Sequence, residues 1–159
     1  MFEEHQPAPQ VADTEELQGQ VNSGANWFFW IAGLSLVNSL IIFFDGDRSF
    51  AIGLGITQIV DAIASVSVAD GASTIVKTLA LVFDVIVIAV FVGFGFLGRA
   101  RHLWAFIVGI ALFALDSLIF VIAFDFIGIA IHALALFFLV RGMLAVRQIN
   151  AMPAADPAA

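Results

Sequence analysis

Four ionisable side chains interrupt otherwise apolar runs of this sequence: Asp61, Asp84, Asp116 and His132. A carboxylate at the centre of a hydrocarbon layer costs about 2.5–3.5 kcal/mol on an insertion scale, so acids at such positions are expected to face the protein interior. Brought together, carboxyl groups can be protonated, share a proton or hold a cation. Asp61, Asp84, Asp116 and His132 therefore form a candidate proton or cation site, with the three acids expected in one interior cluster. Like charges resist simultaneous ionisation, so at least one of the acids is expected to keep its proton near neutral pH. His132 offers a proton exit or a counter-charge.

Asn38, Ser39, Thr57, Gln58 and Ser117 are the supporting polar groups. Thr57 and Gln58 precede Asp61 by one helical turn and share its face. Asp116 shares a face with Phe120, and Asp84 aligns with Ala80 and Ile88. Polar contacts between membrane helices also serve packing alone, at about 0.6–2 kcal/mol each, and that alternative stands beside the functional one.

Other chemistries find less support. Haem ligation by His132 needs a second axial ligand at matching depth, whereas His102 falls in a turn and His5 in the amino-terminal tail. Zinc or manganese held by Asp and His has no HExxH-like spacing behind it, so metal and cofactor stay unassigned. The chain has no cysteine, which removes thiolate chemistry and disulfides. Its serines lack a G-x-S-x-G setting, and no glycine-rich nucleotide loop occurs. Six basic residues with no substantial patch argue against nucleic acid.

The elements that must position these residues are long and hydrophobic. The sequence has 159 residues, 62% hydrophobic and 12% charged, with a mean hydropathy of +1.05. Soluble domains carry about a quarter of their residues charged, and runs of about 20 apolar residues cross a bilayer as helices. The expected fold is all-α: a polytopic transmembrane helical bundle of five spans, 22–44, 50–69, 74–98, 103–124 and 126–146. Residues 1–21 read as a polar tail, and 148–159 as a loose end. Asp13 and Glu16 have capping-box spacing, and Leu17 and Val21 share a face, which suggests a short interfacial helix. Trp27 and Trp30 read as headgroup anchors. The turn near Asp125 is inferred from length, since residues 103–140 as one helix would be roughly 57 Å long; a four-span alternative would require one of the blocks to lie within the interface or be re-entrant.

Five spans place the turns 45–49 and 99–102 with the carboxyl terminus on one side. All five arginines then fall on or toward that side, which predicts an outside amino terminus and a cytoplasmic carboxyl terminus. Val37–Ile41 resembles Leu115–Ile119, and Ile52–Ile56 resembles Ile127–Ile131. This pattern suggests two inverted helical hairpins joined by a central helix, an arrangement that encloses midplane sites in secondary transporters. Chance matching among apolar helices is the competing explanation.

The chain is similar in general character to small polytopic proteins of bacterial inner membranes, a resemblance that implies location and no activity. Two functions follow from the residues. One is a proton- or cation-coupled carrier using Asp61, Asp84, Asp116 and His132. The other is a non-catalytic accessory subunit of a larger membrane complex. Membrane lipids and a homodimer or larger membrane complex are the expected partners.

Overall fold

The computed structural model describes residues 9–44 and 53–152. The described residues form five helices: α1 (Pro9–Phe43), α2 (Gly55–Ala69), α3 (Ile75–Arg99), α4 (Leu103–Ile122) and α5 (Phe126–Ala151). Four of them, α1 from Asp13 onward, α3, α4 and α5, are long and apolar enough to cross a membrane. With 15 residues, α2 is not; it reaches about 22 Å, against about 30 Å of hydrocarbon. The protein is therefore a multi-pass helical membrane protein, with four long helices and one short one among the described residues. The expected second span from residue 50 is shortened at its start.

Pro9 opens α1 in the first turn, where a missing backbone N–H costs nothing. The helix then runs unbroken through Asp13 and Glu16, which are helical residues and not a cap. Among the described residues no separate interfacial helix forms. Val21 is fully buried and Leu17 packs against the core, so this segment belongs to the bundle.

Directions follow from close contacts. Gly24 of α1 lies against Gly142 of α5, and Trp27 stacks on Phe138 with centroids 5.2 Å apart. Gly95 and Gly98 of α3 face Phe29 and Ala25 of α1. The amino-terminal half of α1 thus lies beside the last turns of α3 and α5. Arg101 Nε donates to Gln18 Oε1 at 2.6 Å, and Thr14 Oγ1 donates to the Met152 sulfur at 3.8 Å. Both ends of the described chain sit at one end of the bundle, contrary to the expectation that they lie on opposite sides. The cause is α2, which starts inside the bundle and runs back toward the end where α1 finishes. Ile42 and Phe43 of α1 meet Ser65 of α2 and Lys77 of α3 there.

Helices α1 and α4 consequently run in the same direction, so two inverted hairpins about a central helix are not found. The expected turn at 45–49, with Arg48, lies outside the described residues. The turn near Asp125 is present: the Asp125 carboxylate accepts from Ile127 N–H and Gly128 N–H, both at 3.1 Å, and caps α5. Phe28, Phe91, Phe94, Phe106 and Phe113 fill the core between α1, α3 and α4.

Candidate functional site

The short helix creates the first polar centre. Gly53 takes a φ of 149°, a conformation suited to glycine, and Leu54 follows in extended form, 1% exposed. Buried, irregular backbone must find partners for its amides. Ser35 of α1 supplies one: its Oγ accepts from Leu54 N–H at 2.8 Å while donating to Ile31 O at 2.8 Å. Asp116 of α4 supplies the next two, Oδ2 accepting from Gly55 N–H at 2.8 Å and Oδ1 from Ile56 N–H at 2.9 Å. A carboxylate distant in sequence thus caps α2, where charge and helix dipole attract.

His132 completes this centre. Its Nε2 lies 3.3 Å from Asp116 Oδ2, and its Nδ1 lies 2.8 Å from Gly128 O. A carbonyl only accepts, so Nδ1 is assigned a hydrogen from its partner. The Nε2–Oδ2 contact pairs the imidazole with the Asp116 carboxyl group. The imidazole is stacked on Phe113 at 4.6 Å and faces Phe120 at 4.3 Å. Both ring nitrogens are engaged, leaving none for a metal. Among the described residues no group of three or more His, Cys, Asp and Glu side chains is placed to hold a metal ion.

The second centre is separate. Asp61 follows Gly55 by six residues, or about 9 Å along α2, so it lies well above Asp116. Its carboxyl faces Asp84 of α3, and the Ser39 hydroxyl of α1 stands against both. Asp84 and Ser39 are fully buried, and Asp61 nearly so. Asp61 Oδ2, both Asp84 oxygens and Ser39 Oγ close no hydrogen bond. Two carboxylates present acceptors only, and they bond to each other when a proton is added. A narrow crevice between Ile42, Phe43, Ala64, Ser65 and Lys77 reaches Asp61, and it has no room for a water molecule.

The four ionisable residues are all buried but divide into two pairs, Asp61 with Asp84 and Asp116 with His132. Of the supporting residues, Ser39 belongs to the acid pair, and Asn38 is buried next to it in sequence. Thr57 Oγ1 donates to Leu54 O at 2.8 Å and Ser117 Oγ donates to Ala114 O at 2.6 Å, so both hydroxyls serve local backbone. Gln58 is half-buried, and its amide nitrogen makes no hydrogen bond. Ser35 was not among the candidates from sequence. Its nearest signal is the Gly53-Leu54-Gly55 break, which leaves amides in need of an acceptor.

Beside the start of α2, α3 and α4 part to leave a cleft of about 420 Å³. Leu54, Ile86, Val90, Leu112 and Leu115 line it, with Asp116 as its one polar residue. Ile86 and Leu115 are exposed on the outer surface, so the cleft opens sideways. No protein-family model, curated protein or solved structure matches this chain, and its function is read from the geometry above.

Proposed function

We propose that the protein is a small proton-coupled membrane carrier in which Asp61 and Asp84 bind and release the coupling proton. The observation that carries this reading is the set of unclosed oxygens on Asp61, Asp84 and Ser39, buried between three helices. Adding one proton converts two repelling acceptors into a donor and an acceptor, and removing it forces the helices that carry them to readjust. The crevice beside Asp61 is too narrow for a hydrated ion, which favours a proton over a larger cation. Helix α2 is the natural moving part, being short and held at its start by side chains from α1 and α4. Half-helices whose ends meet polar groups inside the membrane are the working elements of many secondary transporters. The apolar cleft at the start of α2 suits an apolar solute. Asp116 and His132 hold the base of α2 in place and do not carry the proton.

The orientation proposed with this reading places Arg99, Arg101, Arg141 and Arg147, and both ends of the described chain, on the cytoplasmic side. The test is proton uptake into proteoliposomes under an imposed voltage, followed with a trapped pH dye. Asp61→Asn and Asp84→Asn keep size and polarity but remove titration, so each should abolish uptake while expression and folding persist. Wild-type uptake that survives in both variants would refute the coupling role.

A second reading is a non-catalytic accessory subunit or homodimerising structural protein. The complete burial of Asp84 and the absence of water space beside Asp61 favour it. It requires no proton uptake by the wild-type protein alone.

A further inference from the structure

We propose that an anionic phospholipid binds the seam between α1 and α3, with its phosphate on Arg99 and an acyl chain over Gly33. The Arg99 guanidinium lies 4.6 Å above the Phe29 ring and donates to Asn26 Oδ1. Arg101, two residues on, is held by Gln18. In a chain with 13 acidic residues, both arginines are held by neutral amides; among the described residues neither pairs with a carboxylate. Among the described residues their charges therefore stay uncompensated, and Arg99 is fixed before any ligand arrives, which lowers the ordering cost of binding.

Next to Arg99 lies a hollow of about 530 Å³ lined by Asn26, Phe29, Trp30, Gly33 and Phe96. A methyl group built on Gly33 would meet nothing within 4 Å, so the floor of the hollow is open there. Trp30, 64% exposed, and Phe96, 61% exposed, form its walls. One end of the site is cationic and the rest is apolar, which matches an amphiphile with an anionic head. The site lies at the last turn of α3, just before the chain turns into α4, and an exposed indole favours headgroup depth. A zwitterionic lipid also carries phosphate, but its cationic head group opposes the two arginines. Attraction of an anionic lipid by each nearby basic residue corresponds to about fivefold in affinity.

The test uses the full-length protein with Trp27→Phe and Trp104→Phe, leaving Trp30 as the only tryptophan. Its fluorescence is titrated with phosphatidylglycerol bearing brominated chains in a phosphatidylcholine background, and with the two lipids exchanged. Trp30 should be quenched at about fivefold lower mole fraction of the anionic lipid. Arg99→Gln should remove that preference. Gly33→Leu, which keeps the charge and fills open space, should reduce quenching by the anionic lipid. Equal quenching by the two lipids in the parent protein, or a preference that survives both substitutions, would overturn the site. Loss of the preference on adding millimolar inorganic phosphate would assign Arg99 to a soluble anion and overturn the lipid.

Discussion

Asp116 on α4 holds the backbone amide of Gly55, 61 residues earlier in the chain, at 2.8 Å, and thereby fixes where α2 begins. The same carboxylate takes the Ile56 amide and faces His132. Asp116→Ala leaves two inward amides without their acceptor and strips the imidazole of its partner. A loss of about 3–5 kcal/mol is expected, since each buried partner left unsatisfied costs about 1–3 kcal/mol. Asp116→Asn keeps one acceptor oxygen and should lose about 1–3 kcal/mol. Reversible unfolding in mixed micelles measures both, and an unchanged midpoint for Asp116→Ala would show that α2 is not held from α4.

The contact between α1 and α5 depends on two glycines. A methyl group on Gly24 would come within 2.7 Å of the Gly142 Cα, and one on Gly142 within 2.9 Å of the Gly24 Cα. Backbone cannot swing aside as a side chain can, so either alanine substitution must push the helices apart. Each should cost about 1–3 kcal/mol. Gly19→Ala on the same helix meets nothing within 4 Å and is the control; it should be neutral, or stabilising by up to about 1 kcal/mol. Similar unfolding midpoints for all three variants would show that the close approach is absent.

Chain direction is open to labelling, because the protein has no cysteine of its own. Single cysteines at Glu15, Ala100 and Met152 should react with an impermeant maleimide from one side of the membrane. Cysteines at Ala72 and Phe124 should react from the other. Labelling of Glu15→Cys and Met152→Cys from opposite sides would restore five full crossings.

Much of the helical layout is visible in the apolar runs, and the burial of Asp61, Asp84, Asp116 and His132 follows from their place in those runs. The turn before α5 was also accessible, since Asp125 has the chemistry of a cap. The start of α2 was not. Residues 50–69 are apolar enough to read as a full crossing, and only the tertiary bonds from Ser35 and Asp116 show that the helix begins at Gly55. That shift of a few residues reverses the direction assigned to α1 and puts both ends of the described chain together. It also separates Asp116 from Asp61, which the sequence places in one interior cluster. The partition of four ionisable groups into two pairs is a property of packing, and no spacing in the sequence encodes it.

The proton that we propose Asp61 and Asp84 share is the most direct object of measurement. Infrared spectroscopy of the membrane-embedded protein near neutral pH should show the C=O stretch of a protonated carboxylic acid. That band should be lost or displaced in both Asp61→Asn and Asp84→Asn, since each breaks the same shared bond, and it should persist in Asp125→Asn. A wild-type spectrum with no such band, or one that neither substitution alters, would contradict a shared proton at this site.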